Sequence, residues 1–303
     1  MDNTSQLQNK QASAMQAGHD DQPVPPMPAQ HLRKPGIEAE MELKPRFQAN
    51  HYKGSDKLKD MVALITGGDS GIGRAVAVLM AREGARIAIV YLASDQDAQD
   101  TKTSVETEGK SCIVIKGDVK DPDFSRDAVA QVVKQFGRLD ILVNNAAFQQ
   151  HADSLLEISE ERFDETLKTN VYGYFHMAKA AIPYLPKGGS IINTGSVTGL
   201  KGSEKLLDYA TSKGAIHALT KSLAASLLPK GVRVNAVAPG PVWTPLNPAE
   251  KSPQDIVRFG ADTDMHRPAQ PEEISPAYVY LAAPCCSSYV TGIVLPITGS
   301  VEA

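Results

Sequence analysis

Four features are scarce or absent in this 303-residue sequence: cysteine, tryptophan, long apolar runs and blocks of one charge. There are three cysteines and one tryptophan, and the formal net charge is −4. Because no apolar run reaches about 18 residues, a transmembrane helix is not expected. Lysine and arginine are not clustered, which argues against partners such as nucleic acid or an anionic membrane surface. The apolar fraction of 42% is nevertheless enough for a substantial core.

The three cysteines, Cys112, Cys285 and Cys286, are an odd number and lack metal-ligand spacing. We therefore expect no metal site and a reducing, cytoplasmic location. The adjacent pair is expected to consist of buried or half-buried structural thiols rather than a redox site. The polar N-terminus has no apolar h-region, so a secretory signal is not expected.

Residues 1–55 differ in composition from the rest of the chain, being rich in glutamine, asparagine, proline and methionine. Such a composition buries too little apolar surface to offset chain entropy, so residues 1–30 are predicted to be a disordered tail. Residues 37–41 have the pattern of one helical turn, and Phe47 and Tyr52 are candidates for anchoring the segment on a folded surface. Two interpretations remain open: a passive tail, or an arm packed on the domain or on a neighbouring subunit.

From residue 58 onward, apolar β-branched runs alternate with helical patterns. The predicted strands are 62–66, 86–91, 112–116, 139–143, 190–194, 232–237 and 290–297. The predicted helices are 72–83, 95–108, 122–136, 160–184, 206–228 and 271–283. The strands lack clean alternation, which is typical of a parallel sheet covered on both faces. The sequence therefore predicts an α/β fold with a doubly wound, seven-stranded, mostly parallel sheet, and a ligand at the carboxyl ends of its strands.

A glycine-rich turn joins the first predicted strand to the first helix and reads TGGDSGIGR from Thr66 to Arg74. The spacing of Gly67, Gly71 and Gly73 is GxxxGxG, and glycine takes positive φ freely and lets another group come close. At this helix N-terminus, unpaired N–H groups and the helix dipole favour an anion such as a pyrophosphate. Taken alone, the turn is also compatible with a glycine turn that binds no ligand.

A tyrosine and a lysine, Tyr209 and Lys213, lie four residues apart near the start of a later helix and so share one helical face. A free tyrosine has a pKa of about 10, but a nearby ammonium favours the phenolate and lowers that pKa. Tyr209 is therefore predicted to be a general acid/base. Ser196 follows a strand upstream and is expected to hold the oxygen that gains or loses the proton. Surface pairs with this spacing are common, so the pair alone is weak evidence.

Other candidate ligand-binding residues follow predicted strands. Asp118 and Val119 follow the third strand, and residues 144–147 follow the fourth. Asn170 lies inside a predicted helix, where asparagine has poor propensity and often marks a bent or hydrogen-bonding site. A proline-rich segment after the sixth strand is expected to form a wall of the crevice.

In this combination, residues 58–297 resemble the short-chain dehydrogenase/reductase family. The match covers, in order, the glycine turn 66–73, segment 144–147, Asn170, Ser196, Tyr209, Lys213 and the Pro239-Gly240 turn. Residues 35–38, 50–54 and 240–245 are similar to an N-terminally extended subgroup, the stress-associated bacterial oxidoreductases related to plant glucose/ribitol dehydrogenase-like proteins. The resemblance implies a single Rossmann domain over residues 56–303, preceded by a disordered or extended arm over residues 1–55.

The resemblance also implies an activity: hydride transfer between NAD(P)(H) and a small aldehyde, ketone or polyol. Tyr209 would exchange a proton with the substrate oxygen, and Ser196 would orient that oxygen. Lys213 would lower the pKa of the tyrosine and hold the nicotinamide ribose. Asn170 would hold a water that relays protons through Lys213. The family pattern further implies a homo-oligomer, a tetramer or a dimer.

The cofactor contacts implied by the resemblance lie in the glycine turn and after the second, third, fourth and sixth strands. They would bind the pyrophosphate, the adenosine and the nicotinamide carboxamide. The predicted cofactor-binding residues are Gly67, Asp69, Ser70, Gly71, Ile72, Gly73, Tyr91, Asp118, Val119, Asn144, Ala146, Tyr209, Lys213, Pro239, Gly240, Val242 and Thr244.

The choice between NAD and NADP depends on the end of the second strand. Tyr91 occupies the position where an acidic residue would bind the ribose 2′-OH and repel a 2′-phosphate. No lysine or arginine stands there, although Arg74 is close in sequence. We expect both cofactors to bind, with a slight preference for NADP. A second departure is Ala147, which replaces a common family glycine and would cost about 1 kcal/mol if that position needs positive φ.

The substrate pocket is expected to be lined by residues 148–151, 197–204 and 243–267. There, His151 is either a substrate ligand or an ordinary loop residue, and Trp243 either stacks on the substrate or packs the fold. Three functions remain open: an NAD(P)-dependent oxidoreductase, an NAD(P)H sensor without turnover, and a structural stress protein whose arm is the working part. The intact set of Ser196, Tyr209 and Lys213 favours the enzyme, because a sensor has no need of all three.

Overall fold

The apolar, β-branched runs of the sequence form one parallel sheet. The structure, a computed structural model, describes residues 22–301. The strands are β1 Val62–Thr66, β2 Arg86–Tyr91, β3 Cys112–Lys116, β4 Ile141–Asn144, β5 Ser190–Thr194, β6 Arg233–Pro239 and β7 Val294–Ile297. Their order is β3-β2-β1-β4-β5-β6-β7, and all six neighbouring pairs are parallel. The predicted doubly wound sheet is confirmed, with every strand parallel rather than most of them.

Helices follow most strands and cover both faces of the sheet. They are α1 Gly71–Arg82, α2 Asp95–Thr107, α3 Pro122–Phe136, α4 Glu160–Leu167, α5 Gly173–Ala181, α6 Thr198–Lys201, α7 Leu207–Leu227, α8 Pro253–Val257, α9 Pro271–Ala282 and α10 Pro284–Ser287. Local signals set several ends. Asp121 caps α3 by accepting from the Asp123 N–H, and Gly137 ends it in the left-handed region with φ 79°.

The predicted helix 160–184 is not continuous. A π-helical turn, Lys168–Tyr172, separates α4 from α5, and Asn170 lies at its centre with no solvent exposure. A π turn inserts one extra residue into a helix and often occurs at functional sites. The unfavourable asparagine thus marks the place where the helix deviates, although the sequence pattern did not predict the interruption.

Both faces of the sheet are buried, which explains why the strands lack alternation. Along β1, Ala63 and Ile65 belong to one apolar cluster, with side chains of α1 and α9. Val62 and Leu64 belong to the other, with side chains of α3 and α5. The strand order reverses between β1 and its neighbours β2 and β4, so a crevice is expected beyond the carboxyl ends of β1 and β4.

Residues 22–55 lie on the surface of the domain that contains the sheet, as an arm. Met27 and Leu32 are buried in an apolar cluster with Trp243, and the Met27 N–H donates to the Val257 oxygen at 2.9 Å. The prediction of disorder is therefore corrected for residues 22–30, whereas residues 1–21 lie outside the described residues. The low apolar content of this segment does not imply disorder, because its few, widely spaced apolar side chains pack on a surface formed by the rest of the chain.

The predicted anchors of the arm are in contact with the domain. Phe47 and Tyr52 pack against the larger apolar cluster, and the Tyr52 hydroxyl donates to the carboxylate of Glu83. The predicted helical turn is present as a short 3-10 helix, Glu38–Glu40. Over the described residues, the segment is thus an arm packed on the domain rather than a passive tail.

The cysteine pair differs from expectation. Cys112 is buried in β3, but Cys285 and Cys286 are both exposed at the start of α10, with their sulfurs 3.8 Å apart. Pro284 begins this short helix, the two cysteines that follow it are exposed, and only Ser287 at its end is buried. Among residues 22–301, no helix is long and apolar enough to cross a membrane, and no group of three or more potential metal ligands is present.

Candidate active site

A cleft with a cavity volume of ≈260 Å³ lies beyond the carboxyl ends of β1, β2 and β4. Its walls come from the glycine turn, the ends of β2 and β3, the segment after β4, helix α7 and the segment after β6. The predicted cofactor-binding residues that line it are Gly67, Asp69, Ser70, Gly71, Ile72, Tyr91, Asp118, Val119, Ala146, Tyr209, Lys213 and Thr244.

The remaining predicted cofactor residues do not line this cavity. They are Gly73, Asn144, Pro239, Gly240 and Val242. A Cβ at Gly73 would overlap the carbonyl oxygen of Gly67, and one at Gly240 would lie 2.7 Å from the Thr298 oxygen. Val242 is buried in the larger apolar cluster, and Pro239 is the buried last residue of β6. These residues fix the backbone beside the cleft.

Asn144 is a misassigned site residue. It is the last residue of β4, and its side-chain amide donates to Asn193 Oδ1 at 3.0 Å within the sheet. The next residue, Asn145, lines the cleft instead, because successive side chains point to opposite sides. Its amide donates to the carbonyl oxygens of Thr66 and Gly67 at 3.2 and 3.0 Å, so it ties the segment after β4 to the glycine turn.

The glycine turn has the backbone of a phosphate cradle. Gly67 and Gly71 have φ values of +60° and +50°, and a Cβ at Gly71 would lie 2.9 Å from the Thr244 methyl carbon. Ser70 precedes α1 in an extended conformation without a side-chain cap. The turn therefore fits a pyrophosphate that approaches the backbone at a helix N-terminus. One of its N–H groups, that of Gly71, donates to Glu38 Oε2 at 2.7 Å.

Tyr209 and Lys213 lie one turn apart on α7 and face the same cleft. The Lys213 Nζ is 5.5 Å from the centroid of the Tyr209 ring. It donates to the Thr194 carbonyl oxygen at 2.7 Å and to the Tyr174 hydroxyl at 3.2 Å. The predicted pair is thus brought together, and its partners Thr194 and Tyr174 are residues that no sequence pattern singled out.

Ser196 is buried beside the tyrosine, after the end of β5. Its Oγ accepts from the N–H and the hydroxyl of Thr198 at 3.1 and 2.9 Å. Its Oγ is thereby oriented at the start of α6. A hydrogen bond with Ser196 also lowers the pKa of Tyr209, although burial has the larger effect.

Burial shifts the pKa values of the two titratable residues in opposite directions. It raises the pKa of Tyr209 to about 12 and lowers that of Lys213 to about 7. The predicted lowering of the tyrosine pKa by Lys213 is therefore absent from this structure, because desolvation penalises the phenolate and the ammonium alike. Tyr209 is a neutral hydroxyl at neutral pH, the form that can donate a proton to a carbonyl oxygen.

Asn170 holds the segment after β4 in place. Its Oδ1 accepts from the Phe148 N–H at 2.7 Å, and its Nδ2 donates to the Phe148 oxygen and to Ser212 Oγ, both at 2.9 Å. Two of these bonds connect the π turn to the segment after β4, and the third connects it to α7 one residue before Lys213. The side chain that was expected to hold a water is thus already engaged with protein groups.

Comparison with known proteins decides the family. Residues 67–300 match the family model described as enoyl-(acyl carrier protein) reductase. The crystal structure of a short-chain dehydrogenase from Burkholderia cenocepacia J2315 in complex with NADP is similar, with a TM-score of 0.76 and 34% identity over 82% of this chain and 100% of that chain. The chain belongs to the short-chain dehydrogenase/reductase family. It is an NAD(P)-dependent oxidoreductase, as the resemblance predicted.

Three similar proteins match almost along their whole length. General stress protein 39 of Bacillus subtilis is 51% identical over 274 residues, covering 90% of this chain and 96% of that protein. NADPH-dependent aldehyde reductase 1, chloroplastic, of Arabidopsis thaliana is 46% identical over 276 residues, covering 89% and 96%. Glucose and ribitol dehydrogenase of Daucus carota is 44% identical over 278 residues, covering 90% and 95%. The predicted subgroup is confirmed.

Tyr91 lies at the end of β2, where the adenosine of the cofactor is expected. Among residues 22–301, no basic side chain beside it is without a carboxylate partner. The Tyr91 hydroxyl donates to Asp95 Oδ1 at 2.8 Å. Arg74, the candidate from the sequence, is buried and its Nη1 lies 2.6 Å from Glu38 Oε1. Arg74 therefore faces the arm and is not available to a 2′-phosphate. Burial also raises the pKa of the neighbouring Asp69 carboxyl to about 6.

At the substrate end, Phe148 and the segment from Thr244 to Leu246 line the cleft, as part of the expected set. Trp243 is fully buried against Phe259, and its Nε1 donates to the Leu43 oxygen at 2.9 Å, so the packing interpretation is correct. Ala147 is not among the residues with positive φ, so the expected backbone cost does not arise.

His151 is held by ionic partners rather than pointing freely into the cleft. Its Nδ1 pairs with the buried carboxylate of Glu250, and its Nε2 lies 2.9 Å from the Lys251 Nζ. This arrangement connects the loop after β4 to the segment after β6. The residue does not line the cavity and connects these two segments instead.

Proposed function

We propose that the protein transfers a hydride between NAD(P)(H) and a small aldehyde, ketone or polyol, with Tyr209 as the general acid/base. The observation that carries the proposal is one cleft that combines the glycine cradle with the side chains of Tyr209 and Lys213. When bound, the cofactor supplies or accepts the hydride. The protein supplies the proton and the orientation of the substrate oxygen.

In the direction of carbonyl reduction, the neutral Tyr209 hydroxyl donates its proton to the carbonyl oxygen while the carbonyl carbon receives the hydride. Ser196 donates a hydrogen bond to the same oxygen and orients it. Lys213 holds the cofactor ribose and returns a proton to the tyrosine from solvent. Asn170 fixes the π turn and α7, and a water at this turn completes the relay. Burial raises the pKa of Tyr209 to about 12, so the hydroxyl carries its proton at neutral pH before the substrate and cofactor bind.

We further propose that NADP is slightly preferred over NAD. The uncharged Tyr91 leaves the end of β2 without a carboxylate that would repel a 2′-phosphate. The similarity to NADPH-dependent aldehyde reductase 1 of Arabidopsis thaliana and to the Burkholderia cenocepacia dehydrogenase in complex with NADP supports this preference. Both cofactors are expected to bind, since the lysine beside Tyr91, Lys116, with its Nζ 5.9 Å from the ring centroid, is already paired with Asp95.

The remaining proposals concern the whole protein. We propose a cytoplasmic homo-oligomer, a tetramer or a dimer, in which residues 1–55 are the arm and residues 56–303 the dehydrogenase domain. The free state of Cys112, Cys285 and Cys286 supports a reducing compartment.

The decisive experiment combines cofactor binding with turnover. The wild-type protein is incubated with NADPH or NADH and a panel of aldehydes and ketones, and with NADP or NAD and a panel of polyols. We expect oxidation of NADPH with at least one small aldehyde. Tyr209→Phe should bind the cofactor with nearly unchanged affinity and lose about 10²–10⁴-fold in turnover. Tyr184→Phe is the control, because Tyr184 is exposed and remote from the cleft.

Two outcomes would contradict the proposal. Cofactor binding without hydride transfer to any substrate of the panel would instead identify a sensor. Equal turnover of Tyr209→Phe and the wild type would remove Tyr209 from the general acid/base role.

A further inference from the structure

Glu38 is a buried carboxylate that the arm places against the cofactor turn. It belongs to the short 3-10 helix of the arm and is only 2% exposed. Its Oε2 accepts from the Gly71 N–H at 2.7 Å, and its Oε1 accepts from the Arg74 Nη1 at 2.6 Å. One side chain from the arm thus bonds to two positions in the first turn of α1.

The arm is docked at this point by further bonds. The backbone N–H groups of Glu38 and Ala39 donate to the Asp97 carboxylate on α2 at 2.8 and 3.1 Å. Lys44 Nζ donates to the Glu38 carbonyl oxygen at 3.1 Å. The short helix is therefore fixed at both ends, and the Glu38 side chain has one defined direction, toward α1.

Arg74 connects Glu38 to Asp69, a residue of the glycine turn that lines the cleft. Besides its ion pair with Glu38, its Nη2 and Nε donate to the Asp69 carbonyl oxygen at 2.6 and 3.0 Å. Its guanidinium also bonds to Thr101 Oγ1 and to the Asp97 oxygen, both at 2.9 Å. The buried guanidinium has two carboxylate partners, Glu38 at 2.6 Å and Asp97 at 3.6 Å, and the closer one, Glu38, helps to set where Arg74 lies and hence where the Asp69 peptide is held.

The arm residues just before Glu38 form part of the cleft itself. Pro35 and Gly36 line the cavity together with the glycine turn and the end of β2. A Cβ at Gly36 would lie 2.6 Å from the Pro245 oxygen, so the arm also abuts the segment after β6. The arm therefore fills the space between two walls that are expected to contact the cofactor.

We propose that Glu38 is a positioning residue for the cofactor, which acts through the Gly71 N–H and Arg74 to hold the glycine turn in its binding conformation. The inference rests on the proposed function, since it needs an NAD(P)(H) ligand in this cleft. Loss of the carboxylate would remove the closer of the two carboxylates that pair with the buried Arg74, leaving Asp97 Oδ1 at 3.6 Å from Nη2, and would free the Gly71 N–H. Both changes loosen the turn before the cofactor arrives, so affinity falls while the chemistry of a bound cofactor persists.

The test is direct cofactor binding in three variants of the full chain. Glu38→Ala removes both bonds, and Glu38→Gln keeps an acceptor for the Gly71 N–H but removes the charge opposite Arg74. Glu40→Ala is the matched control, since Glu40 lies in the same turn and is exposed. NADPH affinity is measured by the change in its fluorescence, and melting temperature is measured with and without NADPH.

We expect the Kd for NADPH to rise about tenfold in Glu38→Ala, to rise less in Glu38→Gln and to stay unchanged in Glu40→Ala. At saturating cofactor, kcat and the substrate KM should remain near the wild-type values, whereas the cofactor KM should rise. The increase in melting temperature on adding NADPH should shrink in the same order. If Glu38→Ala does not fold, the nearly isosteric Glu38→Gln still carries the comparison.

Unchanged NADPH affinity in both Glu38 variants, beside a lowered melting temperature, would show that the contact is only structural and would overturn this inference alone. A wild-type protein that binds neither NADPH nor NADH would overturn the proposed function, and the inference with it.

Discussion

The ammonium nitrogen of Lys213 lies 5.5 Å from the centroid of the Tyr209 ring and donates to the carbonyl oxygen of Thr194. Both side chains are buried, and burial disfavours their charged forms, the phenolate and the ammonium. The pair is therefore neutral or singly charged near pH 7, and Tyr209 keeps its proton. This electrostatic arrangement gives the first of four predictions.

Lys213 should make folding stability depend on pH. Its pKa is lowered from 10.5 to about 7 by burial. Between these values the unfolded chain binds a proton that the folded protein lacks, so the free energy of unfolding rises with pH. Relative to Lys213→Met, the wild type should gain melting temperature from pH 7 to pH 9. The control is Lys221→Met on the exposed side of α7, and a constant difference between wild type and Lys213→Met would contradict the assigned burial effect.

Tyr91 should control the choice of cofactor. Tyr91→Asp places a carboxylate where a 2′-phosphate would lie, so it should raise the Kd for NADPH about tenfold or more. Its effect on NADH should be much smaller, because NADH has no 2′-phosphate. Tyr91→Phe removes only the hydroxyl that bonds to Asp95 and serves as the control. Parallel weakening of both cofactors by Tyr91→Asp would show that this residue does not face the 2′ position.

Asn145, rather than Asn144, should connect the two walls of the cleft. Asn145→Ala loses the bonds to the Thr66 and Gly67 oxygens, and we expect a loss of about 2 kcal/mol in the free energy of unfolding. Cofactor affinity should fall as well. Asn50→Ala, at an exposed position, should stay within about 0.5 kcal/mol of the wild type in chemical denaturation. A variant at Asn145 with unaltered stability and affinity would contradict the role.

Trp243 should matter for packing of the arm and not for substrate binding. Trp243→Phe keeps a ring against Phe259 but loses the bond to the Leu43 oxygen, which should cost about 1 kcal/mol of unfolding free energy. Trp243→Ala leaves a cavity and should cost about 3–5 kcal/mol. Substrate KM should be unaltered in Trp243→Phe. A raised KM with unchanged stability would favour the discarded stacking role.

The order of the elements was predictable because it depends on short-range patterns. Runs such as 62–66 are apolar on both faces, and this fits only a strand covered on both sides. The pairing of Tyr209 with Lys213 needs nothing beyond the helical period, which places residues four apart on one face. Motif combination then gave the family, although each motif alone was weak.

Side-chain direction at the end of a strand could not be predicted with the same security. Whether Asn144 or Asn145 faces the cleft depends on the residue at which β4 stops, and a shift by one residue reverses the choice. The pKa values of Tyr209 and Lys213 were also misjudged, since spacing shows their proximity but not their desolvation. Likewise, the sequence left Arg74 as a candidate ligand for a 2′-phosphate. In the structure its guanidinium donates to the carboxylate of Glu38, which belongs to the arm.

The sequence by itself determined the parallel sheet with its helices, the glycine turn and the placing of Tyr209 and Lys213 on one helical face, because helical period, strand burial and glycine geometry are local properties of the chain. Tertiary structure decided which polar groups meet across long separations: Glu38 with Gly71, Asn145 with Thr66, and Trp243 with Leu43. Such contacts depend on the packing of the arm against a completed domain. No local pattern in residues 22–55 specifies the surface on which they settle.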